Sequence, residues 1–155
     1  MGNGDIPTIH GSACVIGSAG VLIRGPSGSG KSSLCLALIS TTTAHAGFAR
    51  LVADDRVILD QNGDRLIARA PDALSGMAEL YGLGIIEMPV LSACCLDLVV
   101  DMVEEGNVER FPETEENGIT VDHQFIRIPR ISVPRRNTAI AMPLVLTRLR
   151  KSDLS

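Results

Sequence analysis

The chain has 155 residues and a mass of 16.4 kDa, enough for one hydrophobic core and short of the length at which chains divide into two domains. An apolar fraction of 45% with 21% charged residues excludes disorder over the whole length, and a net charge of −4 argues against a dedicated nucleic-acid binder. No apolar run reaches the roughly 18 residues needed to span a bilayer, and residues 1–10 carry no basic stretch ahead of an apolar one, so the expected location is the cytosol.

Taken in chain order, residues 13–16 and 20–24 read as two short strands joined at Gly17-Ser18-Ala19. Residues 32–43 read as a helix with Leu34, Cys35 and Leu38 on one face, although Thr41-Thr42-Thr43 is poor helix material. Residues 49–53 form an apolar strand that ends at Asp54-Asp55. Residues 56–69 read as a hairpin turning at Asn62-Gly63 between two apolar runs. Residues 83–88 and 94–102 are two further strand candidates. Residues 104–122 are acidic and read as solvated loop with a short helical turn. Residues 125–133 read as a last strand and residues 138–151 as a C-terminal helix. The cysteines Cys14, Cys35, Cys94 and Cys95 show neither C-x-x-C nor zinc-finger spacing, and are expected to be buried, reduced and unreactive.

One motif carries specific chemistry. Gly25-Pro26-Ser27-Gly28-Ser29-Gly30-Lys31-Ser32 matches G-x-x-x-x-G-K-[ST], leaves a predicted strand and enters a predicted helix. Glycines let backbone N–H groups turn inward as an anion nest, and the helix N-terminus adds positive potential. Lys31 is expected to reach the β and γ phosphates and the Ser32 hydroxyl to ligate Mg²⁺, with Ser33 following in the first helical turn. Lys31 is one of two lysines among 14 basic residues, and it is expected in a solvated loop. The strand ending in Asp54 and Asp55 supplies the acidic partner. Adjacent residues at a strand end point to opposite sides, so one carboxylate can serve a metal while the other faces an acceptor.

His10-Gly11, the glycine-rich loop, Leu51-Val52-Ala53-Asp54-Asp55-Arg56-Val57, Glu79-Leu80-Tyr81-Gly82-Leu83-Gly84-Ile85-Ile86 and Pro134-Arg135-Arg136-Asn137 occur in that order. Together they resemble the catalytic domain of the HPr kinase/phosphorylase family over roughly residues 10–150. The resemblance implies an α/β phosphate-loop core related to phosphoenolpyruvate carboxykinase, a mixed sheet with flanking helices, and one catalytic domain over residues 1–155 in a short form without the family's N-terminal domain. It implies an ATP- and Mg²⁺-dependent protein-serine kinase acting on the phosphocarrier protein HPr, able also to run phosphorolysis. The family is cytoplasmic and assembles as homo-oligomers, usually hexamers, and neither nucleic acid nor membrane is an implied partner.

Carried over by position, Asp55 would be the base that accepts the serine proton, His10 the active-site histidine and Arg136 the C-terminal arginine. Asp54 and Glu79 would lie near the metal. The family typically has arginine where Tyr81 stands, glutamate where Ser33 stands and glycine where Arg135 stands. Loss of the cation at position 81 bears most on phosphorolysis, which must hold two anions together. Two other readings stay open: a small-molecule kinase, which would carry an arginine-rich lid, and a nucleotide-dependent binding module, in which Asp55 would be incidental.

Overall fold

Strand β1 (Ile9–Ile16) returns as β2 (Ala19–Arg24) through a tight turn in which Gly17 adopts φ 65°. The structure is a computed structural model and describes residues 8–72, 76–80, 82–109 and 118–153. β1 begins earlier than its apolar run predicts, because Ile9 and His10 pair with Val57 and Arg56 at the start of β4 (Arg56–Asn62). Its other half, from Ala13 to Ile16, pairs with β3 (Ala49–Ala53). β4 and β5 (Arg65–Arg69) form the expected hairpin, with Asn62 opposite Arg65 as the last pair. The turn is therefore Gly63-Asp64, one residue later than predicted, and Gly63 takes the left-handed position at φ 66°.

The hairpin β6 (Met77–Leu80) with β7 (Gly84–Glu87) contains one strand that the sequence reading missed. β8 (Ala93–Val103) runs parallel to β2 and also pairs with β5 at its start. A short 3-10 turn over Glu105–Asn107 follows, where the acidic segment predicts one. That segment also holds the unpredicted strand β9 (Gly118–Val121). The predicted strand over 125–133 is two strands, β10 (Gln124–Arg127) and β11 (Arg130–Pro134), divided at Ile128-Pro129. β10 returns on β9 and β11 lies parallel on β8. Proline has no N–H to give a ladder, so the chain changes partner there.

The result is a mixed seven-stranded sheet, in the order β11-β8-β2-β1-β4-β5 with β3 also on β1, plus two separate hairpins. Its central strands are near-continuous apolar runs because both faces are covered. On one face lie α1 (Lys31–Ala44) and α2 (Thr138–Asp153). Leu34, Cys35 and Leu38 of α1 join Ala141, Val145 and Leu149 of α2 in one core with Ile23, Leu98 and Val100. The second core holds Leu22, Val57, Leu66 and Val99, with Ile119 and Ile126 from the β9–β10 hairpin. Each fully buried leucine contributes about 1.5–3 kcal/mol. The stripe Ala141, Val145 and Leu149 at spacings of four offsets Pro143, an interior helix position that costs roughly 3 kcal/mol.

Cys14 and Cys35 are fully buried as expected, whereas Cys94 and Cys95 are only half-buried at the start of β8. The Cys35 thiol is held well above the ordinary range, first by its hydrogen bond with Cys14 and then by burial. Burial pushes the Cys94 thiol up to about 12. The neutral thiol is thus the form the fold favours, and its contribution to stability is complete below the unfolded value near 8.5 and fades as pH approaches the folded one. At pH 8 the Cys94 thiolate is vanishingly scarce, so a maleimide should label it orders of magnitude more slowly than the denatured chain. Mass spectrometry of the labelled peptide reads this directly, and rapid native labelling of Cys94 would show that β8 opens at its start.

Candidate active site

Arg24 ends β2, and the chain then turns through Gly25–Gly30 into α1. Two glycines in this loop are dictated by geometry. A Cβ on Gly25 would sit 2.7 Å from the Ser29 hydroxyl, and Gly30 holds φ 94° at the helix cap. No side chain caps this helix terminus, and no acidic residue occupies its first turn. Its leading N–H groups therefore face the cleft with the positive end of the helix dipole behind them. Ser27, Gly28, Gly30, Lys31, Ser32, Ser33, Asp54 and Asp55 line a cleft of about 350 Å³.

Lys31 departs from the expectation of a solvated side chain. It is 7% exposed, and its Nζ donates to the carbonyls of Gly25 at 2.9 Å and Pro26 at 3.1 Å. The ammonium is thus held against the loop it follows. Ser29 is also buried, its hydroxyl directed at the Met102 sulfur, so its side chain shapes the loop from beneath and does not line the cleft. From the other side Arg136 closes on the loop. Its backbone N–H donates to Ser29 O at 2.8 Å and its Nε to Gly28 O at 3.0 Å. Arg136 pays for this approach with a left-handed backbone at φ 58°. Beside it, the Arg135 guanidinium is paired with Glu104.

The two carboxylates after β3 occupy different environments. Asp54 is 5% exposed, and its Oδ1 accepts from Ser32 Oγ at 2.7 Å and from Ser12 Oγ at 2.6 Å. Asp55 is exposed, and its Oδ1 lies 3.8 Å from His10 Nδ1. A three-residue turn produces the divergence. The Arg56 N–H donates to Asp54 O at 2.8 Å, and Asp55 at its centre takes φ 68°. A left-handed non-glycine residue costs on the order of 1–3 kcal/mol. The turn is held because Gly11 N–H donates to Asp55 O at 3.1 Å from β1.

The structure therefore brings together Lys31, Ser32, Ser33, Asp54 and Asp55 at one cleft, with His10 and Arg136 at its margins. Glu79 is carried on β6 opposite Ile85, in a hairpin whose Ala78 and Ile86 pack on the helix-side core. Tyr81 lies outside the described residues. Ser12 was missed by the sequence reading. Its signal was a lone hydroxyl two residues after His10 at the start of an apolar run. The oxygen pair Ser32 Oγ and Asp54 Oδ1 has the hard-donor chemistry that suits a small divalent cation. Nucleophile activation by Asp55 and anion binding at the loop are both chemically available here.

Comparison with known proteins places the chain in a family. Residues 5–151 match the family model described as HPr Serine kinase C-terminal domain. An HPr kinase/phosphorylase from Levilactobacillus brevis is 32% identical over 158 residues, covering 95% of this chain and 49% of that protein. One from Geobacillus thermodenitrificans is 34% identical over 156 residues, covering 92% of this chain and 48% of that protein. The solved Hpr(Ser) kinase/phosphatase from Coxiella burnetii superposes with a TM-score of 0.76 at 29% identity, covering 96% of this chain and 97% of that one. The chain belongs to the HPr serine kinase C-terminal domain family, and it spans about half the length of the curated relatives it matches.

Replacing Lys31 with alanine should weaken ADP binding by about 10-fold or more, since hydrogen bonds to a charged group are worth about 1.5–3 kcal/mol. Because the ammonium also satisfies two loop carbonyls, the variant should melt a few degrees lower while remaining folded. Calorimetric titration with ADP and a thermal melt of the same sample check both. Unchanged ADP affinity would remove the loop from nucleotide binding.

Proposed function

We propose that this chain transfers the γ-phosphoryl group of ATP to a serine hydroxyl of the phosphocarrier protein HPr, with Mg²⁺, and runs the reverse phosphorolysis more slowly. One observation carries the reading: two adjacent carboxylates, one buried against loop and sheet hydroxyls and one exposed beside a histidine, flank a single glycine-rich helix terminus. A nucleotide-binding module without transfer has no use for the second carboxylate. Family membership supports a protein acceptor over a small molecule.

In this reading the N–H groups at the start of α1 and the Lys31 ammonium hold the β and γ phosphates, with Gly25, Pro26, Ser27, Gly28, Ser29 and Gly30 forming the cradle and exposed Ser33 at its edge. Ser32 and Asp54 hold the metal side, and the family resemblance adds Glu79, whose side chain lies outside the described ones. Bound Mg²⁺ would neutralise charge on the transferring phosphoryl group. Asp55 accepts the serine proton, with the His10 ring beside that carboxylate at 3.8 Å. Arg136, anchored through Nε at Gly28, presents the rest of its guanidinium at the rim of the loop, where phosphoryl charge develops.

The same reading makes the domain one catalytic unit of the cytoplasm, its phosphate-loop core akin to phosphoenolpyruvate carboxykinase, assembled as a homo-oligomer of the hexameric kind. Exposed Leu83, Ile85, Ile140 and Leu144 support such association. Among the described residues no helix is long and apolar enough to cross a membrane.

Asp55→Asn tests the assignment. Transfer of label from ATP to the HPr serine should fall by about 10²- to 10⁴-fold, the range of general-base effects, while ATP affinity stays within a few-fold. Equal losses in transfer and ATP binding would put Asp55 on the nucleotide side and move the base elsewhere.

Phosphorolysis adds an electrostatic demand. Phosphate oxygen attacks the phosphoserine phosphorus, serine leaves with a proton and pyrophosphate forms. Two unit charges 4 Å apart repel by about 4 kcal/mol at an effective dielectric of 20. Arg135 does not answer that repulsion, because Glu104 already pairs it. Phosphate-dependent release of pyrophosphate from phosphoserine-HPr should therefore be slower than forward transfer, and Tyr81→Arg should raise it. Equal rates in the native enzyme, unchanged by Tyr81→Arg, would show that position 81 has no part in holding the second anion.

A further inference from the structure

Ser12 is the one residue of the His10-Gly11-Ser12-Ala13-Cys14 run whose hydroxyl is completely buried, at 0% exposure. A hydroxyl in an apolar interior is costly unless it is bonded. Its partner is Asp54 Oδ1 at 2.6 Å, a short charge-assisted bond spanning 42 positions of sequence. Side chains alternate along a strand, so His10 and Ser12 project from the same face of β1. That face meets the end of β3, where His10 faces Asp55 and Ser12 meets Asp54. One strand thus addresses both carboxylates, two residues apart, with a titratable ring for the exposed one and a neutral donor for the buried one.

The same Asp54 oxygen also accepts from Ser32 Oγ at 2.7 Å. The two donors differ in what they are attached to. Ser32 sits in the first turn of α1 and lines the cleft, so its oxygen is available to a ligand there. Ser12 lies in the middle of the sheet, where β1 pairs with β2 through Ser12 and Ile23, and it is sealed from the cleft. The Ser12 bond is thus anchored in the sheet and not in the glycine-rich loop.

We infer that Ser12 is a positioning residue for the metal side of the site, fixing the Asp54 carboxylate from the sheet while Ser32 engages a divalent cation with its nucleotide. This rests on the proposed metal role of Ser32 and Asp54. Ser12 touches neither nucleotide nor acceptor and acts through Asp54 alone. Its removal should weaken the contribution of the cation to nucleotide binding and spare the contribution of the loop.

The test is calorimetric titration of the full chain with ADP alone and with ADP plus Mn²⁺. Native protein should bind ADP more tightly with Mn²⁺ than without. Ser12→Ala should bind ADP alone within about two-fold of native and lose about 10-fold of the Mn²⁺-dependent gain, and Ser12→Thr should restore it. If Ser12→Ala does not fold, Ser12→Cys keeps the shape with a weak donor and should lose part of the gain. A full Mn²⁺ gain in Ser12→Ala or Ser12→Cys overturns the inference. So does an equal loss with and without Mn²⁺, which would mark a role in the loop as a whole. A native protein with no Mn²⁺-dependent gain would instead overturn the metal reading of Ser32 and Asp54, and this inference with it.

Discussion

A carboxylate can be buried only where donors replace its water, and Asp54 is the place where this chain meets that condition. Its Oδ1 takes one hydroxyl from β1 and one from the first turn of α1. Three segments far apart in sequence are thereby fixed to one atom: the strand carrying His10, the loop carrying Lys31 and the turn carrying Asp55. Remove either donor and the others must carry a buried charge with less support. The site is thus built on a polar contact inside an otherwise apolar layer.

The sheet makes that contact possible. β1 lies beside β2 on one edge, and on its other edge it meets β3 along its later half and β4 at its beginning. The split leaves an opening between β3 and β4, which the Asp54-Asp55 turn fills. The Gly11 N–H reaches into that opening and holds Asp55 O. A Cβ at Gly11 would stand 2.9 Å from Ile23 O, so the position beside the histidine needs a residue without one. The left-handed backbone of Asp55 is supported by these bonds, and they keep its carboxylate in solvent while its neighbour is buried.

Arg136 repeats the pattern from the opposite side. It too has a left-handed backbone, and it too is held by contacts with the loop, at Gly28 and Ser29. The connection from β11 into α2 is therefore tied to the same loop that begins α1. α1 starts at the cleft, α2 follows the Arg136 contact, and both helices pack on one core, so the loop is braced by the larger part of the apolar interior. Arg24 adds to the rigidity where the loop leaves β2, with Nε 2.7 Å from Asp101 Oδ1 and NH2 3.0 Å from Oδ2 on β8. Bidentate pairing of this kind fixes direction as well as distance.

Much of this was legible in the residues. The glycine-rich loop, the strand ending in two aspartates and the β4–β5 hairpin follow from local rules: left-handed glycines, period-two apolar runs and turn chemistry. Fixed spacing and order were enough to assign the family. Segments with weak local pattern were misread. The strand β6 has four residues, and β9 stands at the end of an acidic stretch whose charge suggested loop. Both gain their strand character from a partner, β7 and β10, that sequence spacing alone does not select. Lys31 looked solvated because lysine in a loop ordinarily is, and the two carbonyls that bury it belong to backbone that no side-chain pattern encodes. Ser12 is the clearest case. Its hydroxyl has meaning only through an oxygen 42 residues away, and a hydrogen bond across that separation is decided when the strands pair and the chain closes.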